Sequence, residues 1–445
     1  MHLGHLIYRS LRAYWRTHLA VALAAAVGTA VLVGALAVGD SMRASLLRSL
    51  ENRLGQTQYA LLSSHGFFTQ ELGVRIAKNL DVSAAPVLYS RGIIKVGDGR
   101  EGVIHVHVYG VDERFYDLGR DSISLPATEG VVLNRPLADR LSLALNDTVL
   151  LRLEKPEYLS RDIALVPDDA RSVAARLPML HIAQSGQLGP FSLEANQAIP
   201  YNAFVPLTWL QQQLERPDLV NLLLIGSAST QVTTDALQHA LQKNWTLADL
   251  GLQLEMRSAQ QQIEINSRRI FMEDAISDHL LEAPLDAEGV LTYFVNQLST
   301  ESAATPYSMV AALDPQSSLG VCPDSMNNEE IVITQWLADD LNARVGDSLD
   351  VTYYILGDRR GLVEETRSFQ VCRILPMDHR AVDPNLMPAF PGLADADNCR
   401  DWEPGIPIDL DTIRDKDETY WDQYRGSPKA FIRLEAGQAL WPNRY

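Results

Sequence analysis

The chain has 445 residues, a formal net charge of −18 and 46% hydrophobic residues. An acidic balance of that size argues against a nucleic-acid partner, because phosphate binding needs concentrated Lys and Arg. Cys322, Cys372 and Cys399 are the only cysteines; they provide neither a disulfide framework nor zinc-ligand spacing, and leave at most one bridge open in an oxidising compartment.

The chain begins with an amphipathic pattern. Leu3, Leu6, Ile7, Leu11, Tyr14 and Trp15 fall on one side of a helix, and His5, Arg9, Arg12 and Arg16 on the other. Such a basic helix, expected over residues 1–18, would lie along a membrane face. Leu19 to Val38 then reads LAVALAAAVGTAVLVGALAV, without a charge. At about 1.5 Å per residue the run is about 30 Å long, the thickness of a bilayer's hydrocarbon core. A transmembrane helix over 19–38 is expected, with a cleaved signal peptide as the alternative, since Ala35-Leu36-Ala37 resembles a cleavage site. A stem helix over 39–55 follows, with Asp40 as its N-cap, Met42, Leu46, Leu47, Leu50 and Leu54 at helical spacing, and Gly55 as its stop. Arg9, Arg12 and Arg16 before the span nearly balance Arg43, Arg48 and Arg53 after it, so charge alone does not orient it.

Beyond the stem an internal repeat organises the chain. Glu129-Gly130-Val131-Val132-Leu133 opens one copy and Glu329-Glu330-Ile331-Val332-Ile333 the other; Leu137-Ala138-Asp139, Leu141 and Asp147 correspond to Leu337-Ala338-Asp339, Leu341 and Asp347. Each copy, 129–153 and 329–353, reads as strand, short helix, tight turn and strand. The expected fold is a two-lobed, strand-rich α+β region, with lobes at 56–266 and 267–445. Between the copies, Ala203–Leu207 and Leu222–Ile225 read as strands, Trp209–Leu214 and Thr233–Lys243 as helices, and Met256–Leu281 as a longer helix around Arg268-Arg269. After the second copy, Phe369–Leu375 and Lys429–Leu434 read as strands, with a loop-dominated, Pro- and Gly-rich stretch at 377–417. The acid-rich segment from Asp383 to Tyr424 reads as solvated surface.

Enzyme motifs are missing. There is no Gly-x-x-x-x-Gly-Lys-Ser/Thr loop, no Gly-x-Ser-x-Gly elbow and no His-Glu-x-x-His helix. His105 and His107, two apart on a strand, make a weak metal pair without a third ligand, and read more simply as a solvated strand face. Gly97-Asp98-Gly99 suits a hairpin turn. Asp395-x-Asp397-Asn398 fails as a calcium loop, because Arg400 stands where the invariant Gly belongs. The expected sets of catalytic, cofactor-binding and metal-ligating residues are empty.

The basic first helix, the single span, the stem from Gly39-Asp40-Ser41-Met42 and the Glu-x-Val-Val-Leu…Leu-Ala-x-x-Leu…Asp-Thr-Val pattern at 129–149 together resemble an FtsX-like, MacB-type permease. Phe204-Val205-Pro206-Leu207 before a helix is similar to the MacB-like periplasmic core domain of that family. The resemblance implies a bacterial inner-membrane subunit with a cytoplasmic N-terminus and a periplasmic bulk. It also implies a separate cytoplasmic ATP-binding subunit, a second permease subunit and the lipid bilayer as partners, and no bound cofactor. Family members carry three further spans, absent here, so the sequence reads as the N-terminal portion of a longer permease. An anchored exported binding or adhesion protein without transport activity is the alternative.

Overall fold

The computed structural model describes residues 3–63, 66–96, 101–121, 123, 129–154, 172–194, 198–226, 232–257, 262–267, 272–356, 362–388, 390, 392–394, 396–402 and 406–441. Gly97-Asp98-Gly99, Arg268-Arg269 and Asp395 lie outside these residues.

Helix α1 (Leu3–Ala13) meets a 40-residue helix α2 (Trp15–Leu54) at Tyr14. No residue of the most apolar stretch of α2 is buried, and this is the one helix among the described residues long and apolar enough to cross a membrane. Span and stem are therefore one continuous helix. Asp40, expected as an N-cap, instead lies inside it. Gly39 does not interrupt the helix, since one interior Gly costs only about 1 kcal/mol relative to Ala.

The first lobe follows the stem directly. It comprises β1 (Thr57–Leu62), β2 (Phe68–Thr69), α3 (Glu71–Leu80), β3 (Ser83–Val96), β4 (Glu101–Val111), α4 (Glu113–Tyr116), β5 (Val131–Asn134), α5 (Arg135–Arg140), β6 (Thr148–Glu154), β7 (Ser172–Ala183), β8 (Asn202–Pro206), α6 (Leu207–Gln213), β9 (Leu219–Val220), β10 (Leu222–Gly226) and α7 (Thr234–Asn244). A hairpin of β11 (Leu252–Arg257) and β12 (Gln262–Ser267) comes next, then α8 (Asp274–Glu282). The second lobe contains β13 (Val290–Ser299), β14 (Ala304–Leu313), β15 (Glu330–Thr334), α9 (Gln335–Leu341), β16 (Ser348–Leu356), β17 (Leu362–Leu375), α10 (Asp415–Tyr424), β18 (Ala430–Arg433) and α11 (Leu434–Leu440).

Met256–Leu281 is thus not one helix. Leu254 lies opposite Ile265 and Met256 opposite Ile263, so apolar residues share one face of a hairpin, and the period of two prevails over the helical period. The other expected strands and helices form close to their expected positions.

The repeat is larger than its sequence signature. The first lobe runs β3-β4-β8-β5-β7-β6 and closes through β3 on β6, while β10 and β1 extend the sheet along the first half of β3. The second lobe is a closed barrel ordered β13-β14-β18-β15-β17-β16. Corresponding pairs have the same sense: β4 with β8 and β14 with β18 are parallel, as are β5 with β7 and β15 with β17. The remaining pairs are antiparallel in both lobes. A register shift between Val131 and Val132 recurs between Ile331 and Val332. Three positive-φ positions also correspond. His105, Ser142 and Asn146, with φ of 60°, 52° and 70°, match Tyr307, Asn342 and Gly346 at 34°, 50° and 99°.

Local chemistry keeps the two units alike. The Asn134 side chain caps α5 by accepting from the Leu137 N–H, and Thr334 caps α9 by accepting from Leu337. Asp147 and Asp347 tie the following turns by accepting from the N–H of Ala144 and Arg344, each at 2.7 Å. Leu137, Leu141, Leu337 and Leu341 are buried in the two barrel cores. Asp139 and Asp339 are exposed.

The main difference is the connection before the last barrel strand. Between β17 and β18 it contains α10, and the Asp417 carboxylate of this acid-rich connection is buried instead of solvated. Asp417 receives Arg414 through two hydrogen bonds of 2.7 Å, and Asp340 on α9 receives Arg414 at 2.8 Å together with Lys416. The Lys429 ammonium sits between the Trp336 and Tyr420 rings, 4.3 and 4.7 Å from their centroids, and pairs with Asp417 at 3.8 Å. Burial pushes the Lys429 amine down to about 8 despite Asp417. This network clamps α10 to the barrel.

Truncating Leu337 to Ala should cost about 2–5 kcal/mol, as expected for a fully buried Leu. Asp339→Ala should change stability by about 0.5 kcal/mol or less. Chemical denaturation of each variant checks the contrast; equal losses would contradict the assigned core.

Candidate functional site, the joint between stem and barrel

The hand-over from α2 to β1 takes two residues. The Gly55 N–H donates to the Glu51 carbonyl, closing the last helical turn, and φ of 56° with ψ of −127° turns the chain away. That region of backbone space is nearly restricted to glycine. Space is equally restrictive: a Cβ at Gly55 would stand 2.1 Å from the Leu118 carbonyl oxygen and 2.9 Å from Leu188 Cδ2.

The receiving socket is formed by segments distant in sequence. The Gln56 N–H donates to the Leu118 carbonyl at 2.8 Å, and the Arg53 guanidinium donates to the Ala198 carbonyl at 3.1 Å. Arg120 pairs with Glu51 at 2.8 Å, while its own N–H and that of Asp121 donate to the Gly186 carbonyl. Beneath these contacts lies an aromatic cluster of Tyr109, Phe115, Tyr116, Phe191 and Phe204, against which Leu54 packs. Phe191 meets Tyr109 and Phe115 edge-on, each with centroids 5.3 Å apart. Gly226 completes the fit, because a Cβ there would lie 2.5 Å from the Gln56 oxygen. The result is a joint in which the stem's last turn, β1 and the barrel wall are held together by packing and backbone hydrogen bonds. Its exposed ion pair adds about 0–1 kcal/mol.

Among the described residues no group of three His, Cys, Asp or Glu could hold a metal ion. His105 occupies a bulge with φ of 60°, matched by Tyr307 in the other barrel, so its backbone belongs to the fold. His107 is taken up by the Tyr89 hydroxyl, 3.0 Å from Nδ1, and burial lowers its pKa. Cys322, Cys372 and Cys399 are free thiols. Burial pushes Cys322 and Cys372 up to about 11 and Cys399 up to about 12, so none is poised as a nucleophile. In the sequence, only Gly55 marked the joint, as a helix stop; Leu118, Leu188, Ala198 and Arg120 carry no local pattern that connects them to it.

Gly55→Ala should destabilise the chain by on the order of 2–5 kcal/mol, through backbone strain and overpacking combined. Glu51→Ala should cost about 1 kcal/mol or less. Thermal unfolding of both variants in detergent checks this; a harmless Gly55→Ala would show that the joint is loose.

Residues 19–244 match the model of the family described as the MacB-like periplasmic core domain. No curated protein sequence matches the chain. Among solved structures, the periplasmic region of MacB from Actinobacillus actinomycetemcomitans is similar at 12% identity, covering 54% of this chain and 99% of that one, with a TM-score of 0.30. The extracellular domain of the ABC-type transporter YknZ from Gram-positive bacteria is similar at 12% identity, covering 39% and 78%, with a TM-score of 0.25. The matched segment takes in the apolar run, the stem and the first lobe, and β13 to β18 lie beyond it. By that match the chain belongs to the MacB-like periplasmic core domain family, that of the MacB/FtsX-type ABC transporter permeases.

Proposed function

We propose that the chain acts as a permease subunit that carries ATP-driven motion from the membrane to its exported lobes. In this reading residues 1–18 lie on the cytoplasmic face, 19–38 cross the inner membrane, 39–55 form the stem, and the lobes at 56–266 and 267–445 are periplasmic. A separate cytoplasmic subunit binds and hydrolyses ATP, and a second permease subunit completes the membrane unit. The observation that carries the reading is the unbroken helix from Trp15 to Leu54, which ends in the socket at Gly55. At about 1.5 Å per residue it is about 60 Å long, twice the hydrocarbon thickness of about 30 Å. A rigid rod of that length, packed at its outer end, transmits tilt or displacement where a flexible tether would absorb it.

A proline in the stem tests this. Ser45→Pro removes a helical hydrogen bond outside the span and costs about 3 kcal/mol or more of local helix stability. The wild-type chain should co-purify from membranes with an ATP-binding subunit. Ser45→Pro should keep that association and lower substrate-dependent ATP hydrolysis several-fold. Co-purification with no ATP-binding subunit, or unaltered coupling with the stem broken, would contradict the reading.

A further inference from the structure

Matching strands of the two barrels begin with different chemistry. Phe204 pairs with Val132 and Phe431 with Val332, so Asn202 of the first barrel corresponds to Lys429 of the second. The Asn202 amide donates to the Gly189 and Phe191 carbonyls at 3.0 and 2.8 Å. Lys429 is also buried, at 4% exposure, but the carboxylate beside its ammonium is Asp417 at 3.8 Å, beyond ordinary hydrogen-bond length. An amide with two acceptors has been exchanged for a cation that lacks a close one.

Lys429 lines a narrow pocket enclosed by residues of α10, β13 and β14, among them Phe294, Ser308, Trp402 and Trp421. Its free volume is about 30 Å³, room for a single ion or a water or two and too little for an organic ligand. Two further donors belong to its lining. The Trp402 indole N–H has no acceptor, although Trp402 is only 6% exposed. The buried Ser308 hydroxyl reaches the Pro306 carbonyl at 3.5 Å, a weak bond at best. Charge points the same way. The clamp sets two carboxylates, Asp340 and Asp417, against three cations, Arg414, Lys416 and Lys429, which leaves one positive charge over. Asp417 is committed to Arg414, Glu418 is taken by Arg400 at 3.2 Å, and Arg425 adds another cation to the pocket lining.

We propose that this pocket binds one small inorganic anion of halide size, chloride in an ordinary salt medium, held by the Lys429 ammonium with the Trp402 N–H and the Ser308 hydroxyl. The anion supplies the acceptor and the negative charge that the protein does not place there. Aromatic walls keep water away and strengthen the attraction. Once bound, it completes the clamp that fastens α10 to the barrel, so chloride stabilises the second lobe. Salt weakens exposed ion pairs by screening, so the sign of the effect separates the two. The site uses neither the stem joint nor the coupling of Proposed function, and stands or falls separately.

The test compares thermal unfolding of the full chain in detergent in sodium chloride and in sodium gluconate of equal ionic strength, gluconate being too large for the pocket. Chloride should raise the unfolding temperature by about 2–4 °C. Lys429→Met should remove that difference, whatever its own effect on stability in gluconate. Trp402→Phe, which keeps an aromatic ring and loses the N–H, should weaken the apparent chloride affinity several-fold. Crystals of the chain soaked in sodium bromide should show an anomalous peak in the pocket beside the Lys429 ammonium. Equal unfolding in the two salts, a chloride shift that survives Lys429→Met, or a pocket holding only water after the bromide soak would overturn the proposal. The bromide experiment decides the matter even where Lys429→Met fails to fold.

Discussion

The turn at Gly55 is the constraint on which the rest of the structure depends. A helix ends there and a sheet strand begins two residues later, at Thr57. Only a residue without a Cβ meets both the positive φ and the approach of the Leu118 carbonyl. Because the turn is that short, β1 cannot swing independently of α2. Because β1 pairs with β10 and β10 with β3, the stem is tied to the barrel wall by consecutive hydrogen-bonded ladders. Aromatic packing under Leu54 fills the remaining space, so displacement of the helix must either move the lobe or break the joint.

The duplicated barrels use the same outer face differently. In the first, Tyr109, Val111, Val132, Ala183 and Phe204 lie under the loops that receive the stem. Their counterparts by strand pairing, Ala311, Leu313, Val332, Leu375 and Phe431, are covered by Val321, Cys322, Met326 and Ala381 from the second lobe's own loops. One copy of the face is a docking station for a helix and the other is closed by its own chain. The shared topology together with separate coverings fits one barrel specialised for attachment and another freed from it. The clamp of Asp340, Arg414, Asp417 and Lys429 belongs only to the second lobe, where it orders a long connection that the first does not have.

What was legible in the sequence followed from how local each signal is. The apolar run needs no partner to be recognised. The strand–helix–strand units were readable because the inward Leu137 and Leu337, the caps and the Asp147 and Asp347 turns are fixed by contacts within a few residues. The rest of each barrel was hidden. Its other strands must fill the same positions, but many apolar sequences satisfy that, and unequal loops shift their spacing: Ala203-Phe204 and Ala430-Phe431 match by pairing, not by a constant offset. The hairpin of β11 and β12 was misread because an uninterrupted stretch without Gly or Pro satisfies helical spacing as well as alternation. Asp40 was misread because a good capping residue does not end a helix whose backbone can continue. The socket was illegible for a simpler reason. Its residues come from positions near 53, 118, 186 and 198, and only the closed fold brings them together.

A distance measurement across the joint tests the central claim most directly. Spin labels at Arg48→Cys on the stem and Asp139→Cys on the first barrel, both exposed positions, report the spread of separations in the membrane-embedded chain. A rigid joint predicts a single narrow distance distribution, unchanged between detergent and bilayer. A broad distribution, or several populations that exchange with the environment, would show that the stem is a tether and that motion of the helix does not reach the barrels.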